Sequence, residues 1–451
     1  MGWRQWWEPV AAYWARKKLE RLQCETAAQL LESSTPQRVE DDLDAAAWKL
    51  LGGAASVADS ERGTFRDKAR HLTDFNPYAR NALTLYRNYV VGLGMKQEVR
   101  GADGTAAEVL HRVQSLWRQF LTVNEWDTGH RKDWECCHRT WRDGECFLRL
   151  FRQPTWPPRV HFVDPEQIAA DPATGLPTDG IATDAENVEV PTAYHLQHEH
   201  RTEVVPADRM LHVKIGVDGN VKRGLTLLLP VLDALKRFQG WLDVELIHRK
   251  VSSSIVLVRK HQQNYPGAVT SFADSLRSNN TTSSPRKTTL QPGTIIDAQG
   301  FDLQFLSPNS HFADASLLGR MILLAIAAGT GLPEFMLTSD ASNANYASTL
   351  VAEGPAVRHF ASWQAFFIGQ WQKLFRLVMA EAVRLGYLTS LEADQVSLHL
   401  TPPSLAVRNR HVEALADAVY FDRGALSRQE LARRDQADPA QMQKERSQEQ
   451  N

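Results

Sequence analysis

Several features that would point directly to a function are scarce or missing in this sequence of 451 residues. Only four cysteines are present, and two of them, Cys136 and Cys137, are adjacent, so we expect a reducing compartment and no disulfide framework. The 51 basic and 53 acidic residues leave a net charge of −2, which excludes an argument from overall basicity to nucleic-acid binding. No apolar run has the length of a membrane span, and charged residues interrupt the region of a signal peptide. These absences predict a cytosolic protein.

The motifs of common catalytic and nucleotide-binding sites are also missing. Gly92 and Gly94 lack the third glycine and the preceding strand of a dinucleotide-binding loop, and no Walker-type Gly-Lys-Ser/Thr occurs. Neither a Gly-x-Ser-x-Gly elbow nor a His-Glu-x-x-His pair is found. The sequence therefore predicts a protein without catalysis and without a cofactor.

Two clusters leave a metal site open as an alternative. The segment YHLQHEH contains His195, His198 and His200, and on a strand only the last two share a face. A metal-dependent hydrolase built on these histidines is one alternative function, with solvated polar positions as the other interpretation. The second cluster has spacing that structural zinc sites do not favour, which indicates core cysteines instead; it comprises Cys136, Cys137, His138 and Cys146.

The N-terminal stretch is rich in tryptophan. Trp3, Trp6, Trp7, Val10 and Trp14 follow helical spacing and precede a basic segment. One interpretation is a helix that lies in a membrane interface, which would make the protein a membrane-associated scaffold. The other is a terminal helix docked on its own subunit or on a neighbour.

Periodicity predicts a mixed α+β fold that is predominantly helical. Helical patterns dominate before Gly144 and again after Gly224. Between them lie short β-rich runs separated by Pro, Gly and Asp clusters, which predict a small β module on a helical base. These runs are Cys146–Phe151, Arg159–Val163, Thr192–Gln197 and Met210–Ile215.

The second half of the chain is dominated by long helices with inserts. A leucine stripe predicts a helix from Gly224 to Lys250 whose regular part begins near Pro230. Ser252–Arg259 fits either a continuation of this helix or a strand. After the polar segment Gln262–Thr289, the stretch Gly293–Leu306 predicts two strands.

Two further helical predictions concern the C-terminal part. The helix Phe360–Phe375 has a wide aromatic face that suits packing either between subunits or within one subunit. A last helix is predicted at Arg408–Phe421, followed by a frayed charged tail, Arg433–Asn451.

The segment Thr338–Ser348 is a polar insert between two apolar-periodic helices. Its Ser, Asp, Asn and Thr side chains bond to nearby backbone and favour a loop over a helix. The loop has three interpretations: an enzyme lid, a plain surface connector, or a surface that faces a repetitive charged partner. Short polar side chains touch phosphates without the strong grip of Lys and Arg, so the last interpretation suits sliding rather than holding.

The loop and its surroundings resemble the portal proteins of tailed bacteriophages, especially the lambda-like branch. The resemblance rests on GTGLPEFMLTSDASNANYAS (329–348), on HFVDPEQI (161–168) with the later TAYHL, and on VPADRMLHV (205–213). It continues through RGLTLLLPVLDALKRFQGWLDVELIHRKVSSSIVLV (223–258) and covers most of the chain from about Asp74 onward.

The resemblance implies a ring-forming portal fold with named parts. They are a wing (1–222), a first stem helix (223–259), a clip (260–306), a second stem helix (307–332), a tunnel loop (333–348), a long wing helix (349–380), a crown (381–433) and a flexible tail (434–451).

The family likeness also implies a function and partners. It implies a dodecameric ring at one capsid vertex of the virion, assembled in the host cytoplasm, through which double-stranded DNA is packaged and ejected. The implied partners are terminase, head-completion or connector proteins, the major capsid protein and scaffold. Arg286 and Lys287 would contact partners at the clip. The implied DNA-facing residues are Thr338, Ser339, Asp340, Ser342, Asn343, Asn345 and Tyr346.

Overall fold

The computed structural model describes the chain in segments. They are residues 57, 59–169, 179–198, 201–253, 256–261, 301–306, 312–340, 342, 346–405, 410–434 and 439–449. The chain divides into two compact units, 1–50 and 51–451, and every described residue belongs to the second. The Trp-rich N-terminus, most of the predicted clip and the first strand expected in Gly293–Leu306 lie outside the described residues.

The described elements confirm a predominantly helical α+β fold. The helices are α1 (Asp59–Phe75), α2 (Pro77–Val90), α3 (Ala107–Val123), α4 (Lys132–Asp143), α5 (Leu232–Ser253), α6 (Phe312–Thr330), α7 (Glu334–Thr338), α8 (Tyr346–Arg384), α9 (Ser390–Asp394), α10 (Arg410–Asp422), α11 (Arg428–Arg434) and α12 (Pro439–Glu449). The strands are β1 (Lys96–Gly101), β2 (Glu145–Phe151), β3 (Arg159–Val163), β4 (Ile181–Thr183), β5 (Pro191–His198), β6 (Arg201–Pro206), β7 (Met210–Lys214), β8 (Val256–His261), β9 (Phe301–Leu306) and β10 (Val396–Thr401). None of the described helices has the length and apolar character needed to cross a membrane.

Helix α2 begins where the sequence Asn76-Pro77 predicts. The Asn76 side chain accepts hydrogen bonds from the backbone N–H groups of Tyr78 and Ala79, at 3.0 and 3.2 Å, and Pro77 occupies the first turn. Gly92 follows the helix with φ +52°, a conformation that favours glycine. The buried face of α2 places Tyr86 at the centre of the main core.

The β module consists of two antiparallel sheets with the strand orders β3-β2-β7 and β4-β5-β6. Phe147 of β2 pairs with Val163 of β3 and with His212 of β7. Its ring lies against Tyr194 of β5, with 5.9 Å between ring centroids, in a small core that the two sheets share. The predicted β module is therefore present, with β4 and β6 as strands that the sequence analysis did not predict.

A further pair of strands joins distant parts of the chain. Strand β1 pairs with β10 in antiparallel register, with Lys96 opposite Thr401 and Gly101 opposite Val396. Leu398 and Leu400 of β10 are buried in the main core. The sequence analysis predicted neither strand, because each is short and its partner is far away in sequence.

Helices α5 and α6 form a closely packed pair connected by β8 and β9. A 3₁₀ turn at Leu229–Val231 precedes α5, so the regular helix begins at Leu232, close to the predicted Pro230. The helix ends at Ser253 and β8 follows, which resolves the two interpretations of Ser252–Arg259 into a helix end and a strand. Gly319 of α6 allows close contact, since a Cβ there would lie 2.3 Å from the Trp241 ring.

The long helix α8 runs through the core of its own subunit. Its rings pack on those of three other helices and of the α3–α4 connection. The pairs are Phe360 on Tyr89 with 4.6 Å between centroids, Phe367 on Trp141 with 5.3 Å, Trp371 on Trp126 with 5.2 Å, and Phe375 on Trp117 with 5.1 Å. The aromatic face predicted at Phe360–Phe375 therefore belongs to the interior of the subunit.

The C-terminal region is more helical than predicted. The helix expected at Arg408–Phe421 is α10, and α12 lies inside the tail that was expected to fray. The described side chains of α12 are exposed. The division of the chain into wing, stem, clip and crown remains a prediction.

Candidate functional site

The predicted tunnel loop begins at the short helix α7. The Thr338 hydroxyl donates to the Glu334 carbonyl oxygen at 2.8 Å, and Ser339 then leaves the helix with φ +58°. The backbone N–H of Ser342 donates to the Asp340 carboxylate at 2.9 Å. Hydrogen bonds from the Ser342 hydroxyl and from this N–H lower the pKa of Asp340. The side chain thus folds the loop onto itself, as expected for Asp in a turn.

The described DNA-facing candidates are solvent-accessible. Ser339, Asp340 and Ser342 are exposed, and Thr338 is half-buried. Tyr346 begins α8. The predicted residues Asn343, Asn345, Arg286 and Lys287 lie outside the described residues. Their roles remain predictions.

The root of the loop is attached to the body of the subunit from two sides. The Asn81 side-chain amide of α2 donates to the carbonyl oxygens of Met336 and Leu337, at 3.0 and 2.8 Å. On the outer side, the Arg320 guanidinium of α6 pairs with the Glu334 carboxylate at 3.0 Å. Because Leu337 is also buried, α7 has a fixed position from which the loop projects.

A buried polar network lies where α6 ends. The Tyr86 hydroxyl donates to the carbonyl oxygen of Thr330 and lies 2.8 Å from Nε2 of His359. The Trp363 indole N–H donates to the same His359 nitrogen at 3.2 Å. Burial lowers the pKa of His359 and raises that of Tyr86, so both groups stay neutral at pH 7. The network connects α2, α6 and α8 at the base of the loop region.

Large apolar side chains are exposed on the α5–α6 pair. On α5 they are Leu242, Val244, Leu246 and Ile247, and on α6 they are Leu317, Leu318, Met321 and Leu324. A monomeric soluble protein rarely exposes so many neighbouring apolar side chains. These two helices therefore have the surface expected of a subunit interface.

A buried ionic cluster is the main feature that the sequence analysis missed. Glu145 is fully buried at the start of β2, and its Oε1 lies 2.6 Å from Arg223 Nη2 and 3.0 Å from Arg66 Nη2. The Gly224 backbone N–H donates to the other carboxylate oxygen at 3.1 Å. Burial by itself raises the pKa of Glu145, but the positive charge of Arg223 outweighs it and holds that pKa well below its usual range.

The same cluster connects the segment before α5 to the β module. Arg223 also donates to the carbonyl oxygens of Ile168 and Pro165, at 2.7 and 2.8 Å. Neighbouring Asp143 is held by Arg70, with 3.0 Å between Nε and Oδ1. No sequence motif predicts this cluster, because about eighty residues separate Arg66 from Glu145 and again Glu145 from Arg223.

The histidine and cysteine clusters do not form a metal site within the described part of the chain. His195 is buried, and among the described residues no group of three or more His, Cys, Asp or Glu side chains is placed to hold a metal ion. The side chain of His198 and the whole of His200 lie outside the described residues. Cys136, Cys137 and Cys146 are buried and free, and burial raises the pKa of each thiol.

Comparison with solved structures gives several matches at low sequence identity. The neck of an empty GTA particle shares 16% identity at a TM-score of 0.46, over 84% of this chain and 95% of that chain. The virion of a native gene transfer agent particle shares 16% identity at 0.41, over 82% and 92%. An HK97-family phage portal protein from Corynebacterium diphtheriae shares 12% identity at 0.31, over 67% and 85%. No curated protein sequence matches the chain.

Comparison with models of protein families identifies the family of this chain. The family model described as "Phage portal protein, lambda family" matches residues 43–364, well over half of the chain. This family is structural and not enzymatic, which overturns the alternative of a metal-dependent hydrolase built on His195, His198 and His200. The match extends from before α1 into α8, and on this basis the chain belongs to the lambda family of phage portal proteins.

Proposed function

We propose that this chain is the repeating subunit of a closed twelve-membered ring at one vertex of a capsid, and that double-stranded DNA passes through the ring during packaging and ejection. Membership of the portal family supports the vertex position and the DNA channel. The exposed apolar side chains of α5 and α6 support assembly into a ring.

The physical argument for assembly comes from the cost of leaving these side chains in water. Full burial of one leucine-sized side chain is worth roughly 1.5–3 kcal/mol. Leu317, Met321, Val244 and Ile247 are each more than half exposed in the single subunit. Contacts between copies recover this free energy, and a head-to-tail contact whose rotation closes gives a ring.

The proposed parts of the subunit follow the family resemblance. Helices α5 and α6 form the stem, residues 260–306 the clip, residues 333–348 the tunnel loop and residues 381–433 the crown. The loop would face DNA with its exposed Ser339, Asp340 and Ser342. The net charge of −2 favours passage over tight binding, since phosphates are held by clusters of Lys and Arg.

The proposed partners are proteins that contact a portal during and after DNA packaging. Terminase would dock during packaging, and head-completion or connector proteins would replace it afterward, both at the clip with Arg286 and Lys287. The major capsid protein and scaffold would surround the ring. The proposed locations are the portal vertex of the virion and, during assembly, the host cytoplasm.

Native mass measurement with particle imaging tests the proposal. We expect the purified chain to form closed rings, and twelve copies of 50.8 kDa give a particle of about 610 kDa. A ring of another number would retain the assembly and correct the copy number. A chain that stays single, or only pairs, under conditions in which the capsid shell assembles would overturn the proposal.

A further inference from the structure

A groove of about 830 Å³ opens beside the α5–α6 pair. Its apolar wall includes Trp241, Leu242, Leu246, Leu323 and Phe335. Leu246 is 61% exposed, and Leu242 is exposed as well, so this wall faces solvent in the single subunit. The groove therefore has room and apolar surface for the side chains of a partner.

Helix α6 presents a different apolar surface on its other side. Ala315, Gly319 and Leu323 line the groove at intervals of four residues. At about 100° per residue, Met321 lies roughly 200° around the helix from Gly319, which is nearly the opposite face. We call this opposite face the α6 stripe. It consists of Leu317, Leu318, Met321 and Leu324, all exposed.

The groove has a defined floor and a partly polar lining. The Trp241 ring lies on Gly319, where a Cβ would approach it to 2.3 Å, so the two helices are too close for a larger residue at the floor. The Arg320–Glu334 ion pair and Asp340, which belongs to the predicted tunnel loop, also line the groove. An occupant of the groove would consequently lie next to the root of that loop.

We propose that the α6 stripe of one subunit occupies the groove of the next subunit. The inference rests on the proposed ring function and names the two faces that meet in it. Both faces occur on every copy and are different patches of its surface, as a head-to-tail contact requires. The stripe contains no charged side chain, so it suits the apolar part of the groove around Leu242, Leu246 and Phe335. The charged side chains of Glu245 and Arg249 also line the groove.

Two single substitutions separate the two faces. Met321→Glu places a charge on the stripe and leaves the groove intact, whereas Leu246→Glu places a charge in the groove and leaves the stripe intact. Both side chains are more than 60% exposed in the single subunit, so each variant should fold with wild-type circular dichroism. Leu391→Glu, at an exposed apolar position on α9 outside both faces, is the matched control.

The expected result is loss of assembly for each variant and partial recovery on mixing. Alone, Met321→Glu and Leu246→Glu remain single subunits at concentrations where the wild type and Leu391→Glu form rings. An equal mixture gives a pair of about 102 kDa, twice the subunit mass, and nothing larger. In that pair, the intact stripe of Leu246→Glu occupies the intact groove of Met321→Glu. The stripe and the groove that remain each carry the introduced charge, so no further subunit can join.

Other outcomes would overturn the inference in recognisable ways. Rings formed by both variants alone would show that the two faces do not meet, while the portal proposal would stand. Rings formed by Leu246→Glu alone would mean that the stripe docks on another surface of the next subunit, or that a segment of the chain itself fills the groove. A mixture that stays unpaired would also overturn it. Failure of the wild type to form any ring would instead overturn the proposed function, and this inference with it.

Discussion

Glu145 is a charged side chain enclosed by protein, and its environment explains why it is tolerated there. Arg223 and Arg66 neutralise its charge, and the backbone N–H of Gly224 satisfies a remaining lone pair. His212 lies 3.4 Å from the carboxylate, but burial lowers the pKa of its ring, which stays neutral. Removing one member of such a group leaves the others as buried, uncompensated charges.

We therefore expect Glu145→Gln to lower the free energy of unfolding by about 3–5 kcal/mol at pH 7. Equilibrium unfolding in urea measures it. The control is Glu203→Gln, which removes the more exposed carboxylate that pairs with Arg149 and should cost about 1 kcal/mol or less. Equal losses in the two variants would contradict the assignment of Glu145 as the centre of a buried cluster.

The loss of stability caused by Glu145→Gln should depend on pH. The folded protein holds the pKa of Glu145 below the ordinary value of 4.5, so the unfolded chain binds more protons in acid. The stabilisation is present above that ordinary value and is lost as the pH falls below it. The difference in stability between wild type and Glu145→Gln should narrow in acid, and a constant difference would contradict it.

At the scale of elements, helix α8 shows how an apolar face is assigned to one subunit or to two. Sequence periodicity predicts the wide aromatic face, but it fits packing within one subunit and packing between subunits equally well. The structure places Trp371 against Trp126 and Phe367 against Trp141, so the neighbours are α4 and the α3–α4 connection of the same chain. The helix is a structural element of the subunit core.

We expect Trp371→Ala to destabilise the isolated subunit by roughly 3–5 kcal/mol, because the change opens a cavity in the core. Val351→Ala on the same helix, at an exposed position, should change stability by about 0.5 kcal/mol or less. The measurement is thermal or urea unfolding of both variants under conditions that keep the subunit single. A Trp371→Ala variant with wild-type subunit stability but impaired assembly would place this face at an interface.

At the scale of the whole molecule, the predicted tunnel loop starts from a fixed base, and its described residues Ser339, Asp340 and Ser342 are exposed. Asn81 and the Arg320–Glu334 pair hold α7, and the exposed Asp340 bonds to the loop backbone. Deleting residues 340–346 removes the segment beyond that base and only the first residue of α8. The base keeps its contacts with Asn81 and the Arg320–Glu334 ion pair, whereas the hydrogen bond between Ser342 and Asp340 is removed with the loop.

We expect this deletion to leave folding and ring formation intact and to impair DNA packaging or retention, measured as DNA-filled particles after assembly. A replacement of the same seven positions by Gly and Ser is the matched control, since it keeps the loop length and removes the side chains. Packaging at the wild-type level in the deletion variant would contradict the assignment of the loop.

The sequence by itself determined the local elements and the family. Asn76-Pro77 predicted the start of α2, and four β-rich runs predicted strands at nearly the observed bounds. The motif around residues 329–348 pointed to portal proteins, which the family match confirms. These features are local, so neighbouring residues along the chain are enough to specify them.

Only the tertiary structure decided which surfaces meet. It paired β1 with β10 and brought Glu145, Arg66 and Arg223 into contact. It also placed the aromatic face of α8 in the core of its own subunit. It also showed that one side of α6 lines a groove, while the other exposes the apolar α6 stripe to solvent. Periodicity reports that a face is apolar, but the partner that covers it depends on contacts between residues far apart in sequence.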